Sequence, residues 1–277
     1  MRVVGEGNAN VLIDLGDTDC LYRCCVRFRD SLKRNNEYSI ENLQYIQTCV
    51  KMVLGDLLCS MELVELPLEG FEGILGQYVG NLDDSKIIVF RMPNLKPRIL
   101  EKVAYQDQFT QIYTSHDLSR VVLELKPKWV YNPSDYCRNC SHSRLKGREL
   151  RYCYSKLNQD PLHLTELLAS AGELPAGFQR DLASYLASST NVLAVLYEAQ
   201  RELKHEALSG IESVADVTSS MSLAMTLRDV TCFIEWSSDA DQLRVNVVDV
   251  DLKPKEKFVH WRETQLRLDS FEDKCYH

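Results

Sequence analysis

Short runs rich in apolar residues recur along the first 115 residues, and one of them carries polar residues in alternation, which predicts strands. One stretch differs. After Ser39, a residue suited to cap a helix, apolar positions between 40 and 57 recur with helical spacing. This part of the chain therefore predicts a sheet with one principal helix. The predicted strands cover residues 11–15, 20–28, 61–66, 86–92 and 109–114, and a turn at 16–17 joins the first two.

The pattern changes after residue 118. A strand at 121–126 leads into a loop-rich stretch containing Pro133 and Gly147, and helical periodicity then dominates to about residue 210. This order favours an α+β protein of two lobes, which we place at 1–118 and 119–277. The predicted helices cover residues 162–171, 178–187 and 192–208, and a late two-stranded ribbon covers 230–236 and 243–252, around a polar turn at 237–241.

Composition excludes several functional classes. The chain has 277 residues, 45% hydrophobic and 26% charged, with no apolar run long enough to span a bilayer and no signal-peptide pattern at its start. We therefore expect an intracellular protein without a membrane partner. Its ten cysteines fit no small disulfide framework and should be mostly reduced. The formal net charge of -8 argues against non-specific nucleic-acid binding, so any anionic ligand must meet a local basic cluster.

Two segments provide such clusters. Residues 124–157 are strongly basic within an acidic chain, and Lys253, Lys255 and Lys257 form a second basic line. A solvated basic loop is one interpretation of the first segment. Two separate clusters of positive charge in an acidic chain are more simply explained if both contact the same polyanionic ligand. The bases of the first segment are Lys126, Lys128, Arg138, Arg144, Lys146, Arg148, Arg151 and Lys156.

The phrase Leu-Lys-Pro followed by a base occurs three times, at 95–98, 125–128 and 252–255. Glu124 precedes the second lysine by two residues, and Asp249 and Asp251 precede the third by four and two, so an extended chain would put acid and lysine on one face. Proline then ends each strand. A metal-binding acid beside a phosphate-binding lysine is the arrangement that phosphoryl transfer requires.

Asp229, directly before a predicted strand, is a second candidate acid. One of the two, Asp229 or Asp249, could accept the proton of an acceptor hydroxyl while the other binds Mg²⁺. A hairpin of the two late strands would bring those strands together without necessarily juxtaposing the acids.

Residues 5–10 form a glycine-rich phrase between an apolar run and a strand, where backbone amides could approach phosphates closely. It matches neither a dinucleotide-binding fingerprint nor a Walker loop, and a plain turn is the alternative. Arg23, Arg27 and Arg29 alternate on the second strand, and one of them could neutralise nucleotide phosphates. An exposed strand would show the same alternation.

Cys137, Cys140 and His142, with Cys153 downstream, have the residue types of zinc ligands, although the second half of the site lacks a standard spacing. The two interpretations are a structural zinc site and a loop with reduced thiols.

Four of these phrases together resemble the inositol-pentakisphosphate 2-kinases, and the chain looks like a compact fungal member of that family. The match runs in order from residue 5 to about 261, and the two lysine-proline phrases with their acids are its specific part. The phrases are Gly5-Glu6-Gly7-Asn8-Ala9-Asn10, Glu124-Leu125-Lys126-Pro127-Lys128, Arg228-Asp229-Val230-Thr231-Cys232 and Asp249-Val250-Asp251-Leu252-Lys253-Pro254.

The resemblance implies two α/β lobes distantly like protein kinases, with the nucleotide and the inositol phosphate bound between and beside the lobes. It implies ATP and Mg²⁺ as cofactors. The reaction it implies is phosphorylation of the 2-hydroxyl of inositol 1,3,4,5,6-pentakisphosphate to give inositol hexakisphosphate, phytate. We also expect from it a monomer located in the nucleus, the cytoplasm or both.

Roles carry over position by position. Asp229 matches the acid that activates the hydroxyl, with Mg²⁺ binding as a second role, and Asp249 matches the Mg²⁺ ligand. The resemblance implies nucleotide contacts for Gly5, Gly7, Asn8, Asn10, Arg23 and His116. It implies inositol-phosphate contacts for Lys126, Lys128, Arg151, Asn191, Lys253 and Lys257.

The chain also departs from the family pattern. Trp129 stands where relatives commonly have cysteine and glycine, and residues 151–156 lack the histidine of the family's corresponding stretch. The alternative interpretation is a non-catalytic binding module, either an inositol-phosphate sensor or a zinc-stapled RNA or protein adaptor that uses the 124–157 segment.

Overall fold

The computed structural model describes residues 1–17, 19–96, 100, 102–148, 150–203, 208–240 and 242–277. Parts of the Leu-Lys-Pro phrase at 95–98, of the predicted helix at 192–208 and of the turn at 237–241 lie outside these residues. The chain divides into two compact units. The first comprises Met1–Lys51 and Cys59–Pro97, and the second comprises Met52–Leu58 and Arg98–His277.

The first unit contains a five-stranded antiparallel sheet in the order β1-β2-β3-β5-β4. Its core is formed by apolar side chains of the inner strands together with Leu32 and Leu75 from the helices and Phe71, which directly precedes one of them. The strands are β1 (Arg2–Glu6), β2 (Asn10–Asp14), β3 (Cys20–Cys25), β4 (Glu62–Pro67) and β5 (Lys86–Pro93).

The principal helix of this unit, α1 (Leu32–Tyr45), begins earlier than predicted. Ser31 caps it by accepting a hydrogen bond from the N–H of Arg34, whereas Ser39, the predicted cap, lies inside the helix and donates to the carbonyl of Asn35. The first half of α1 is polar but packed, so its apolar periodicity is weak there. The helix continues through a π-helical segment (Ile46–Val50) into α2 (Lys51–Leu54), and α3 (Glu72–Leu75) is a single turn.

The second unit contains another five-stranded antiparallel sheet, in the order β10-β9-β8-β7-β6. The late ribbon predicted at 230–252 is not separate, because β9 also pairs with β8. The sequence-based lobe boundary at 118/119 falls between β7 and β8, which are hydrogen-bonded neighbours in this sheet. The strands are β6 (Lys102–Gln106), β7 (Thr110–Thr114), β8 (Arg120–Leu125), β9 (Thr231–Ser237) and β10 (Arg244–Val248).

The described residues of the second unit include four helices that the sequence pattern missed. Two lie in the stretch expected to be loop-rich, and the others follow residues 218 and 257. The first three bury polar or small residues, alone or among apolar ones, and the last buries only Trp261 and Leu268, so the apolar signal is weak in all four. The helices are α4 (Arg138–Leu145), α5 (Tyr154–Gln159), α6 (His163–Ser170), α7 (Ala176–Ala187), α8 (Val192–Glu202), α9 (Ser219–Leu227) and α10 (Phe258–Asp269).

These elements confirm the predicted α+β class. Trp129 and Trp261 pack with Ile211, Val217 and Met221 in a buried cluster. In the part of the chain that the structure describes, no helix is both long and apolar enough to cross a membrane.

Candidate active site

Three loops meet at one end of the second sheet because of its antiparallel register. Leu125 at the end of β8 pairs with Cys232 near the start of β9, and Thr231 at the start of β9 pairs with Val248 at the end of β10. The loop after β8, the residues before β9 and the loop after β10 are therefore neighbours. These are the three segments that carry the specific phrases of the sequence.

Asp229 lies at the centre of this group. Its carboxylate accepts a hydrogen bond from Lys128 Nζ at 2.6 Å and one from Lys253 Nζ at 2.7 Å. The Asp229 side chain is 50% exposed, whereas those of Lys128 and Lys253 are 24% and 11% exposed. Two lysine side chains that are largely buried thus hold their ammonium groups against an acid that is half exposed to solvent. Such a local positive charge is suited to an anionic ligand.

The lysines also set the charge state of the acid. Burial alone would raise the pKa of Asp229, but the positive charges of Lys253 and Lys128 outweigh it and hold the pKa below its ordinary value of 3.8. Asp229 is therefore ionised at neutral pH.

Two of the three described non-glycine residues with positive φ lie in the same loops, and the third is Leu118 in the turn between β7 and β8. Lys128 has φ 57° and Asp249 has φ 62°, in the left-handed region that side chains other than glycine seldom adopt. Such conformations persist where surrounding contacts fix them, commonly at functional sites. Thr231 Oγ1 donates to Asp249 Oδ2 at 2.5 Å, which orients the exposed carboxylate of Asp249 beside the start of β9.

A buried asparagine holds the loop after β8 from one side. Asn139 of α4 donates its amide hydrogens to the carbonyls of Pro127 and Trp129, each at 3.1 Å, and accepts the N–H of Trp129 at 3.2 Å. Asn139 is 6% exposed, so these contacts replace water as its partners.

A fully buried glutamine holds the same loop from α8. Gln200 donates to the carbonyls of Lys128 and Leu227 at 2.9 and 3.1 Å, and its oxygen accepts the N–H groups of Val130 and Tyr131 at 3.0 and 3.1 Å. One side chain thus ties the backbone of Lys128 to the turn that precedes Asp229. Sequence reasoning missed both amides. The only available signal was a polar residue, Gln200, on the apolar face of the predicted helix.

Trp129, the departure from the family pattern, is also part of this support. The guanidinium carbons of Arg138 and Arg228 lie 4.0 and 3.9 Å from the centroid of its ring. Since Arg228 directly precedes Asp229, the Trp129 ring packs the loop after β8 against the start of β9 by cation–π contact.

The other predicted substrate residues lie outside the Asp229 contacts, in different surroundings. Lys126 is held through its backbone N–H, which donates to the Phe109 carbonyl at 2.8 Å, and Lys257 is exposed before α10. Arg151 lines a pocket with Tyr105 and Gln106 at the end of β6. That strand ends on the same side of the sheet as β8, about 14 Å from β9 at three strand spacings.

Asn191 does not fit its predicted substrate contact. Its side chain caps α8 by accepting the N–H groups of Leu193 and Ala194, and its amide donates to the carbonyls of Leu186 and Ser188. These bonds use both amide hydrogens and the oxygen of a residue that is 5% exposed. We therefore assign Asn191 a structural role.

The glycine-rich phrase is the hairpin between β1 and β2 of the first unit. Gly7 N–H donates to the Asn10 carbonyl at 2.9 Å, and the Ala9 carbonyl accepts from the N–H of Val26 at 2.8 Å, with Asn8 at the tip. A Cβ on Gly5 would lie 3.1 Å from the Leu12 side chain.

Arg23 and His116, also predicted to contact nucleotide, occupy different surroundings. Arg23 is 6% exposed on β3, paired between Leu12 and Phe90. Of the two other arginines in that series, Arg29 donates to the Tyr78 carbonyl at 3.1 Å. His116 is exposed in the turn between β7 and β8, at the opposite end of the sheet from Asp229.

The predicted thiol ligands meet, but with a different histidine. Ligand atoms of Cys137, Cys140, Cys153 and His277 all lie within 4.8 Å of one another. His142 lies outside this group, because a residue two positions after Cys140 on α4 is rotated by about 200° around the helix axis. Burial lowers the pKa of His142 to about 4. Hydrogen bonds from the thiols of Cys140 and Cys153 lower the pKa of Cys137.

Comparison with known proteins places this geometry in context. The family model described as inositol-pentakisphosphate 2-kinase matches residues 4–200 and 169–266. The chain is similar to the inositol-pentakisphosphate 2-kinase of Saccharomyces cerevisiae, with 43% identity over 100% of this chain and 99% of the relative. The proteins of the same name from Candida glabrata and Kluyveromyces lactis are 39% and 37% identical, over 99% and 98% of this chain and 100% and 95% of the relatives.

Proposed function

The chain belongs to the inositol-pentakisphosphate 2-kinase family, and we propose that it transfers the γ-phosphoryl group of ATP to the 2-hydroxyl of inositol 1,3,4,5,6-pentakisphosphate. The observation that carries this proposal is the ionised, half-exposed carboxylate of Asp229 held by Lys128 and Lys253. Membership in a kinase family favours an enzyme over the alternative of a non-catalytic binding module.

Asp229 is the proposed proton acceptor. The 2-hydroxyl oxygen attacks the γ-phosphorus, the bond from that phosphorus to the bridging oxygen breaks, ADP leaves, and the hydroxyl proton passes to the Asp229 carboxylate. A pKa below 3.8 makes a weak base. Phosphates that draw the charges of Lys128 and Lys253 away from Asp229 would raise its pKa and so improve it as a base.

The substrate charge explains the number of bases. Five phosphates of about -1.5 to -2 charges each require several cations. Lys128 and Lys253 flank the proposed reacting group. Lys126 follows β8 and Arg151 lies beside the end of β6, at the same end of the sheet, and Lys257 is four residues after Lys253 in the chain. Positioning and charge neutralisation are the main demands of phosphoryl transfer, so these lysines would supply much of the catalysis.

The residues at the end of β10 suit a Mg²⁺ ion. Carboxylate oxygens are preferred Mg²⁺ ligands, and Asp249 presents an exposed carboxylate oriented by Thr231. When bound, Mg²⁺ would neutralise charge on the nucleotide phosphates. We propose Asp249 as its ligand, with Asp229 as a second. The hairpin at Gly5, Gly7, Asn8 and Asn10, together with Arg23, is the proposed contact for nucleotide phosphates.

Asp229→Asn tests the proposal because it keeps the shape of the side chain and removes the proton acceptor. We expect transfer from ATP to inositol pentakisphosphate to fall by about 10²- to 10⁴-fold. Binding of the inositol phosphate should persist, since both lysines remain. Rates are measured by product formation, with the position of the new phosphate assigned by NMR.

Asp239→Asn is the matched control. Asp239 is an exposed acid in the turn at the other end of the β9–β10 hairpin, and its replacement should leave the rate unchanged. Full activity of Asp229→Asn would remove Asp229 from the mechanism. Transfer to one of the five existing phosphates, which would give a pyrophosphate in place of an ester at the 2-hydroxyl, would overturn the proposed product.

A further inference from the structure

Glu6 is an acid inside the hairpin that is the proposed contact for nucleotide phosphates, directly between Gly5 and Gly7. A carboxylate close to those phosphates would repel them and weaken nucleotide binding. The position of this one side chain therefore matters to the hairpin. Two features of the first unit determine that position: the register of β1 and the hydroxyl of a tyrosine.

A one-residue bulge in β1 decides which face of the sheet the Glu6 side chain occupies. Val3 pairs with Ile13, but beyond the bulge Glu6 pairs with Val11. An unbroken ladder would have paired Glu6 with Asn10. Side chains that lie directly opposite each other share a face, and successive side chains alternate between faces. The extra residue in β1 thus moves Glu6 from the face of Asn10 to the face of Val11.

These two faces carry different groups. Arg23 of β3, a proposed contact for nucleotide phosphates, pairs with Leu12 and shares its face. Val11 is fully buried on the opposite face, in the apolar cluster that also contains Leu75. The bulge therefore puts the acid of the hairpin on the face opposite Arg23.

Tyr78 holds the carboxylate on that face. Its ring packs against the same apolar cluster, and its hydroxyl donates to Glu6 Oε1 at 2.6 Å. Arg29 fixes the backbone beside it, because its guanidinium donates to the Tyr78 carbonyl at 3.1 Å and its carbonyl accepts the N–H of Gly80 at 2.8 Å. The hydrogen bond to Glu6 raises the pKa of Tyr78, so the hydroxyl remains a donor at neutral pH.

We propose that Tyr78 is a positioning residue for nucleotide binding, which keeps the negative charge of Glu6 on the face opposite Arg23 and ties the glycine-rich hairpin to the first sheet. The face that carries Arg23 then keeps its positive charge without the opposing charge of Glu6. This inference rests on the proposed kinase function, since it assigns the hairpin and Arg23 to the phosphates of ATP.

Tyr78→Phe tests the proposal because it removes the hydroxyl and keeps the ring on the apolar cluster. We expect the Kd of the full chain for ATP with Mg²⁺, measured by calorimetric titration, to rise about 3- to 10-fold, because the released carboxylate can oppose the phosphates. The Kd for inositol pentakisphosphate should stay unchanged. Tyr22→Phe is the matched control: Tyr22 packs against the same cluster, but its hydroxyl accepts from Arg91, so the Kd for ATP should not change.

Removal of the charge at Glu6 separates this role from a merely structural one. In Glu6→Gln the amide oxygen can still accept from Tyr78, and the Kd for ATP should be no higher than in the wild-type protein. When Glu6→Gln is combined with Tyr78→Phe, the released side chain carries no charge, so most of the weakening caused by Tyr78→Phe should disappear. A structural hydroxyl would instead weaken ATP binding equally with glutamate or glutamine at position 6.

The outcomes distinguish this inference from the proposed function. A wild-type chain that binds ATP, with a Kd that Tyr78→Phe leaves unchanged, would overturn the role of Tyr78 alone. A double variant that binds ATP as weakly as Tyr78→Phe would do the same. A wild-type chain without affinity for ATP would overturn the proposed function together with this inference. Far-UV circular dichroism verifies that each variant keeps the wild-type fold.

Discussion

The two units contain sheets of equal strand number, yet they use buried amides differently. In the first unit, Asn36 of α1 donates to the Lys86 carbonyl at 2.9 Å and accepts the N–H of Ile88 at 2.8 Å, which attaches a helix to a strand. In the second unit, Asn139 and Gln200 bind the backbone of a loop. The same chemistry therefore supports the scaffold in one unit and the candidate site in the other.

The loops themselves differ in the same way. The hairpin with Gly7 is held by backbone hydrogen bonds and by one exposed side-chain contact, in which the Tyr78 hydroxyl donates to Glu6 at 2.6 Å. The loop with Lys128 is held in a strained conformation by side chains that are almost entirely buried. We infer that the end of the second sheet is preorganised. The proposed phosphoryl transfer would benefit from such fixed charges.

Gln200→Leu should have the largest effect. Leucine fills similar space but leaves the carbonyls of Lys128 and Leu227 and two N–H groups without their partner. Each buried polar group left unsatisfied costs about 1–3 kcal/mol, and partial relaxation suggests a total loss of about 3 kcal/mol or more. We expect a lower free energy of unfolding in urea and a raised KM for inositol pentakisphosphate in the protein that remains folded.

Asn36→Leu is the control that sharpens the comparison. It removes the equivalent amide contacts in the first unit and should also lower the free energy of unfolding, but the KM for inositol pentakisphosphate should not change. If both variants raised KM equally, the effect of Gln200→Leu would come from general destabilisation, and the amides of the second unit would have no specific role in positioning the Lys128 loop.

Lys253→Met should have the next largest effect. Methionine keeps the unbranched shape and most of the length of the side chain, and it removes the charge that faces Asp229. A charge-assisted hydrogen bond to phosphate is worth about 1.5–3 kcal/mol, so the Kd for inositol pentakisphosphate should rise roughly 10- to 150-fold. Calorimetric titration measures it.

Lys255→Met is the matched control for that variant. It lies two residues away in the same basic line but is exposed in the turn before α10, and its Kd should change far less. Equal weakening by the two variants would mean that the net charge of the surface, rather than the Lys253 position, binds the ligand.

The candidate site was predictable at positions where a short sequence motif places an acid or a lysine next to the end of a predicted strand. Asp229, Lys128 and Lys253 were named from such phrases, and the structure places them in contact. Their juxtaposition could not be derived from the hairpin alone, because Lys128 comes from a third strand. That arrangement depends on β8 pairing with β9, a contact between residues more than a hundred positions apart.

The features that the sequence failed to predict mostly involve buried polar side chains and contacts between positions far apart in the chain. Gln200 contacts a loop about seventy residues earlier in the chain, and a single buried glutamine on a helix has no recognisable pattern. The helix α4 was taken for a loop because its buried positions are Arg138, Asn139 and two serines. The edge strand β6 was missed because its residues alternate poorly, with Lys102 and Val103 both exposed.

The smallest predicted effect concerns two acids whose pKa values are lowered for different reasons. In the first unit, the N–H of Lys33 and the hydroxyl of Ser31 donate to Asp83 and lower its pKa below 3.8. In the second unit, the charges of Lys253 and Lys128 outweigh burial and lower the pKa of Asp229. A lowered pKa means that each ionised group stabilises the fold above pH 3.8, and this stabilisation is lost as the pH falls through the folded-state pKa.

A polyanion should separate these two causes. Pyrophosphate that occupies Lys128 and Lys253 takes up the charge that favours ionised Asp229, so the pKa of Asp229 should rise toward its ordinary value, while the pKa of Asp83 stays unchanged because its hydrogen bonds remain. Carboxyl NMR titration measures both, with Asp229→Asn assigning the signal. Because Asp229 is half-exposed, we expect its ionisation to contribute less than about 1 kcal/mol to stability. Equal pKa shifts for the two acids would mean that pyrophosphate acts through general ionic strength, and that the lysines at the end of the second sheet do not form a specific phosphate site.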